Sequence, residues 1–203
     1  MMKSSELVAK VVDIAKHYKT LYVMGCFGAP LTDTNKSRYI KNHPYNMAAA
    51  RTSMIKAATP DTFGFDCVNL IKAVLWGWTG DKTKAYGGAK YATNGVPDIG
   101  ADTMITKCKD ASASGWDKVD PGEVVWTTGH IGVYIGNGLA VECSPRWANN
   151  VQITAVGNIG KKNGYNTRMW KKHGYLPYVT YDKTVTPAQP ETVKPVPTTE
   201  VKA

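Results

Sequence analysis

Cys67 stands directly after Asp66 in the stretch Phe63-Gly64-Phe65-Asp66-Cys67-Val68-Asn69-Leu70-Ile71-Lys72-Ala73-Val74-Leu75-Trp76. Gly64 breaks the chain, Asp66 is a good N-cap, and Leu70, Ile71, Val74 and Leu75 recur at helical spacing. The spacing predicts a buried helix with Cys67 in its first turn, where unpaired amides and the helix dipole favour a thiolate. A cysteine is more often just a small buried apolar residue. The first-turn position is what separates Cys67 from Cys26, Cys108 and Cys143.

A thiol nucleophile needs a base. His17 lies in a helical stretch, His43 precedes Pro44 in a basic loop, and His173 sits between Lys172 and Gly174. None of these positions singles out its imidazole. His130 opens the alternating run His130-Ile131-Gly132-Val133-Tyr134-Ile135-Gly136, which reads as a strand, and a strand fixes a side chain better than a loop does. An imidazole base needs a third group to hold its tautomer. Glu142, an acid inside the apolar run Leu139-Ala140-Val141-Glu142-Cys143, is the candidate. Its face depends on the hairpin. A two-residue Asn137-Gly138 turn pairs Glu142 with Val133, on the far face from His130. A three-residue Gly136-Asn137-Gly138 loop pairs it with Gly132, on the face of His130. Both loops suit the sequence, and a solvent-facing strand acid is the alternative.

The elements that must position these groups fall in two blocks. Ser5 to Lys19 reads as a helix capped by Ser4 or Ser5, with an apolar stripe from Leu7 to Tyr18. Leu21 to Pro30 reads as a loop lining something, Asn35 to Lys56 as basic and partly helical, Asp66 to Trp76 as the cysteine helix. Thr79 to Gly100 reads as a surface excursion, and Asp102 to Lys109 as a short helix. The period then changes to strands: Glu123–Thr128, Ile131–Ile135, Leu139–Cys143, Val151–Val156 and Tyr175–Tyr181. Helices first and antiparallel strands after is the α+β pattern.

The chain has 203 residues, 43% hydrophobic and 20% charged, enough for one globular domain with a core of its own. Mean hydropathy is -0.30, and no apolar run approaches the roughly 18 residues a bilayer span needs, so membrane insertion is not expected. The N-terminus, Met1-Met2-Lys3-Ser4-Ser5-Glu6, lacks the apolar stretch of a secretory signal, which points to synthesis in the cytoplasm. The four cysteines lie about 35 to 41 residues apart with no C-x-x-C pair, so free thiols are expected rather than a zinc site. The net charge is +9. Residues 1–60 carry nine Lys/Arg against three Asp/Glu, and Lys161 to Lys172 carries five bases and no acid, which suits an anionic partner. There is no helix-turn-helix or RNA-motif signature to make that partner nucleic acid. From Asp182 onward, threonines interleave with Pro187, Pro190, Pro195 and Pro197, the composition of a linker or disordered tail spanning 182–203. The domain is thus expected to occupy 1–181, with a further module beyond Ala203.

The motifs, taken in order, resemble the NlpC-type papain-like cysteine peptidases of bacterial and phage wall hydrolysis. Tyr22-Val23-Met24-Gly25 stands for the family's aromatic Y-V-W-G-G segment, and Asp66-Cys67-Val68-Asn69 for D-C-S-G. Pro121-Gly122-Glu123-Val124-Val125 stands for P-G-D-L-V, His130 to Gly136 for H-V-G-I-Y-x-G, and Glu142 for the polar third residue. The likeness covers Leu7 to about Tyr181. It departs where Val68-Asn69 replaces Ser-Gly, Met24 replaces Trp, Cys26 replaces the second Gly, and Glu142 stands where His is more usual. The CHAP amidases share a Cys-Val-x-Leu helix and a Gly-His strand and form a neighbouring reading.

The resemblance implies a papain-like α+β fold, with N-terminal helices packed on a central antiparallel β-sheet and no cofactor or metal. It implies Cys67 as nucleophile, His130 as general base and Glu142 as the orienting group. Tyr22 and the Cys67 amide would hold the oxyanion, and Asp66 would meet a polar end of the substrate. The implied activity is hydrolysis of a peptidoglycan amide bond through an acyl-thioester, as a stem-peptide endopeptidase of phage-endolysin type released through a holin pore. An N-acetylmuramoyl-L-alanine amidase is the alternative, and a non-catalytic wall-binding protein the reading from another class. The basic surface would meet anionic wall polymers, and the further module would bind the wall.

Overall fold

The computed structural model describes residues 1–182; of the tail expected over 182–203, residues 183–203 lie outside the described residues. The chain opens with β1 (Met2–Lys3) and α1 (Ser4–His17). The stripe of α1 is the expected one: Leu7, Val8, Val11 and Ile14 are buried. Its cap differs, because Lys3 takes the N-cap position and Ser4 and Ser5 fall in the first turn. There Asp182 clasps both, accepting from Ser4 Oγ at 2.7 Å, Ser5 Oγ at 2.7 Å and the Ser5 amide at 3.1 Å. Asp182, assigned by composition to the tail, therefore belongs to the folded body.

The segment read as a loop from Leu21 to Pro30 is largely β structure, with β2 (Thr20–Tyr22) and β3 (Phe27–Pro30). Both pair with β4 (Phe63–Phe65), β2 in parallel, to make a small three-stranded sheet. Three helices separate β3 from β4: α2 (Asp33–Asn42), α3 (Pro44–Met47) and α4 (Ala49–Ala57). The cysteine helix, α5 (Cys67–Leu75), is buried along its whole length, and its apolar faces join α1 to the sheet. The excursion from Thr79 to Gly100 holds one short 3-10 turn, and it is anchored by Val96, whose carbonyl accepts from Trp76 Nε1 at 2.9 Å. Next come α6 (Ala101–Lys107) and β5 (Lys109–Ser112).

The C-terminal block supplies β6 (Val124–Thr127), β7 (His130–Gly136), β8 (Leu139–Ser144), β9 (Asn150–Val156), β10 (Thr167–Arg168) and β11 (Lys172–Tyr175). With β5 these form a seven-stranded sheet in the order β10-β9-β8-β7-β6-β11-β5, antiparallel except at β9/β10. The strand expected over Tyr175–Tyr181 is split between β11 and β12 (Val179–Thr180), and β12 pairs in parallel with β1. The α+β expectation holds, with α1 and α5 laid on one face of a mainly antiparallel sheet. Ile131, Val133, Val141 and Cys143 point into the core beneath these helices. Val125, Tyr134, Ala140, Val156 and Trp170 form a second apolar layer on the opposite face.

The β7–β8 hairpin resolves the two registers. Gly136 pairs with Leu139 across the two-residue Asn137-Gly138 turn, whose φ values of 55° and 74° are those a tight twisted hairpin needs. The register then shifts by one between Tyr134 and Gly136, and beyond the shift Val133 faces Val141. Glu142 thus falls opposite Gly132, as the three-residue loop would have placed it, through a bulge instead.

Candidate active site

Asp66 sets the start of α5. Its Oδ1 accepts the Asn69 amide at 2.8 Å, the N-cap bond, and Oδ2 accepts the Gly25 amide at 2.8 Å and Asn69 Nδ2 at 2.7 Å. Burial pushes this carboxyl up, against those three donors and Lys72. The resemblance gave Asp66 to the substrate; it is one of the residues lining the cleft, and its oxygens also accept the protein donors that hold α5 and the Tyr22–Gly25 segment together. The same segment is gripped from behind. Asn46, fully buried, bonds both the amide and the carbonyl of Met24, and Arg51 donates to the Tyr22 carbonyl.

Cys67 follows in the first turn and opens onto a cleft of about 560 Å³. Tyr22, Met24, His43, Val68, Lys72 and Asp98 are among its walls. Burial and the neighbouring Asp66 push the Cys67 thiol up to about 12, while the amides of Ile131, Val68 and Cys67 itself pull it down. The first-turn amides act in the expected direction, but burial outweighs them, so Cys67 rests as a thiol. Tyr22 shares the cleft. Burial also raises its phenol, so the hydroxyl stays a donor, and it reaches Met24 Sδ loosely at 4.0 Å.

His130 begins β7, and its ring leaves the strand on the face opposite α5. Nε2 donates to Glu142 Oε2 at 2.6 Å, and the ring stacks on Trp170 at 5.6 Å and 10°. Gly132 makes this possible, since a Cβ there would come within 2.8 Å of the Val141 oxygen and 3.4 Å of Glu142 Cβ. Glu142 is fully buried and receives Thr154 Oγ1 at 2.7 Å and Arg168 Nε at 2.8 Å to each oxygen. Burial alone would raise its carboxyl; the bonds and charges of His130 and Arg168 hold it below its ordinary value.

The thiol and the imidazole are neighbours across the strand rather than on one face. Cys67 Sγ lies 4.0 Å from the Gly129 carbonyl and against the Ile131 amide, the two backbone groups that flank His130. No hydrogen bond joins Sγ to the ring, and Nδ1 is the ring nitrogen without a hydrogen-bond partner among the described residues. Asp102 braces this corner from α6, its Oδ1 accepting the Gly129 amide at 2.7 Å and Trp126 Nε1 at 2.9 Å.

Of the five expected site residues, the structure sets Tyr22, Asp66 and Cys67 on the cleft and His130 with Glu142 on the other side of β7. The sequence reading passed over His43, Asp102 and Arg168. His43 enters the cleft because Gly25, at φ 79°, leaves no Cβ to collide with its ring. Arg168 sits in a run of bases that hides it, and unlike a surface cation it is buried and paired. His173 is buried at a separate point, bridging Glu123 Oε2 at 2.6 Å and the Ser114 carbonyl at 2.8 Å. All four cysteines are free thiols. Among the described residues no cluster of three or more His, Cys, Asp or Glu could hold a metal, and no helix is long and apolar enough to cross a membrane.

No family model matches the chain, and no curated protein matches it. Among solved structures it is similar to the P60 domain of an antigen from M. avium subspecies paratuberculosis, at 17% identity and a TM-score of 0.41. That match covers 85% of this chain and 93% of the other.

Proposed function

We propose that the chain is a cysteine hydrolase that cleaves an amide bond of bacterial peptidoglycan, as a stem-peptide endopeptidase of endolysin type. The observation that carries the reading is the junction of α5 and β7: a first-turn cysteine open to a cleft, seated against the backbone on either side of a histidine that a buried carboxylate orients.

The chemistry follows from those groups. In the structure Sγ and the ring lie on opposite sides of β7, so the reading requires the Gly129–His130 start of the strand to turn Nδ1 toward Sγ when substrate binds. The thiol proton passes to Nδ1 as sulfur attacks the amide carbon. Glu142 accepts a hydrogen bond from Nε2–H and stabilises the imidazolium. The oxyanion is met by the Cys67 amide and the Tyr22 hydroxyl. His130 then protonates the leaving amine, which departs and leaves an acyl-thioester on Cys67. Water, deprotonated by the imidazole, attacks the thioester and releases a carboxylate and the thiol. The net positive charge of +9 suits a polyanionic wall.

Mass spectrometry of purified peptidoglycan after digestion tests this. New amino ends within the stem peptide support the endopeptidase. New free L-alanine amino ends would mean the amidase instead. An undigested wall, with the protein folded, would overturn the hydrolytic reading.

A further inference from the structure

The Glu142 carboxylate has no water-facing surface, yet it is the group that must stay ionised for His130 to work. A buried carboxylate left to itself takes up a proton. Arg168, on β10, is the cation beside it. Its Nε reaches both Glu142 oxygens at 2.8 Å, one of its terminal nitrogens lies 2.7 Å from Oε2, and that nitrogen also donates to Ser144 Oγ at 3.1 Å. The guanidinium is further fixed between two indoles, 5.0 Å from the Trp147 ring and 5.5 Å from that of Trp170. Trp170 in turn stacks on His130. One side chain thus sets the charge of Glu142, the direction of its oxygens and the wall against which the imidazole lies.

We propose that Arg168 is a positioning residue of this site, the third member of the chain His130, Glu142, Arg168, in which its charge balances that of Glu142 and so sets the proton affinity of the His130–Glu142 pair. The role in turnover rests on the hydrolytic reading above; the electrostatic role does not. Without a cation opposite, the His130–Glu142 pair, 2.6 Å apart, would hold on to a shared proton and could not accept that of the thiol. With Arg168 opposite, the charge of the carboxylate is balanced.

The other groups around His130 do not substitute for it. From α5 only Cys67 faces the strand start, and from α6 Asp102 acts through the Gly129 amide. Lys171 is turned to Thr128 Oγ1. The strands β6 and β9 carry no titratable side chain, Cys143 of β8 lies on the opposite face, and the buried residues of α1 are uncharged.

The test is the pH titration of the His130 ring signal by NMR in four proteins. Relative to wild type, Arg168→Met moves the midpoint to higher pH by about one unit, because a negative charge is left unopposed or its proton is retained by the pair. Glu142→Gln moves it lower, because Arg168 is then unopposed. The double variant, neutral at both positions, returns toward wild type. A purely structural role would not produce opposite shifts that cancel. An unmoved midpoint in Arg168→Met, or one that falls as in Glu142→Gln, overturns the proposal. Should Arg168→Met not fold, Arg168→Lys keeps the charge without the fork: its midpoint stays near wild type, and a shift of a unit or more there overturns the electrostatic role. In wall digestion the acid limb of the Arg168→Met profile moves up with the midpoint. Absence of digestion by the wild type would sink the hydrolytic reading and leave the titration to decide Arg168.

Discussion

Asp66 binds Gly25: the carboxylate that caps the cysteine helix also accepts the Gly25 amide at 2.8 Å, so one side chain fixes Cys67 and the segment bearing Tyr22 relative to each other. Asp66→Ala removes the cap and the tie together. The cap alone is worth about 1 kcal/mol, up to about 2. We expect Asp66→Ala to lose at least that in denaturant unfolding. Asp66→Asn, which keeps an acceptor oxygen, should recover part of the stability.

Cys67→Ala should reduce wall digestion to background with unfolding behaviour unchanged, since alanine suits a first helical turn. Cys143→Ser should retain activity, because a hydroxyl can donate to the Phe65 carbonyl as the thiol now does at 3.2 Å. With its thiol held near 12, Cys67 should react slowly with iodoacetamide at pH 7 and faster as pH rises. Rapid alkylation at pH 6–7 would instead mean a preformed thiolate–imidazolium pair.

Glu142→Ala should lower turnover on the order of 100-fold, with Glu142→Gln keeping more because an amide oxygen still accepts from Nε2. Both variants leave Arg168 buried without its partner, a loss of about 3–5 kcal/mol for a broken buried pair. The pH sign is that of a depressed carboxyl. Glu142 stabilises the fold fully above its unfolded value near 4.5 and loses that contribution as pH falls through the lower folded value. Acid unfolding of the wild type should therefore be steeper below that point than in Glu142→Gln, as followed by circular dichroism.

Gly132→Ala would drive a methyl against the Val141 carbonyl and the Glu142 stem. An overpacked position of this kind costs about 1–3 kcal/mol. Here the strain falls on the His130–Glu142 bond, so kcat should drop more than stability alone explains, which parallel melting and turnover measurements would show.

Ending the chain after Asp182 should leave the melting temperature unchanged, whereas ending it after Tyr181 should lower it, because Asp182 holds Ser4 and Ser5. The Asp182 carboxyl is held down at about 2, so its contribution is complete above the ordinary aspartate value and disappears as pH falls toward 2. Equal melting temperatures for the two truncations at pH 7 would show the clasp to be idle.

The parts of the molecule that could be read in advance are those whose signal is local. The helix at Cys67 announces itself by its cap and its apolar period, and the β7–β8 hairpin by alternation around Asn137-Gly138. The side of the sheet taken by Glu142 was open, because a bulge of one residue decides it and no residue type marks that bulge. Leu21 to Pro30 looked like a loop because its strands are short and their partner, Phe63 to Phe65, lies some forty residues away, roughly the separation at which pairing leaves no local pattern. Arg168 was hidden for the opposite reason: it looks like its neighbours in a basic run, and only the return of the chain along β9 and β10 brings it inside. The pull of the helix-end amides on the Cys67 thiol is legible in sequence, but the depth of burial that opposes it is not.

The two ends of the folded body are laced to each other, β1 to β12 and Asp182 to the first turn of α1. Because these short strands run in parallel, a pull on the chain beyond Asp182 loads their hydrogen bonds in shear and passes into α1 before it can reach the hairpin that bears His130 and Glu142. The lacing acts as a strain relief: such a pull would have to break it before disturbing the corner that holds His130 and Glu142.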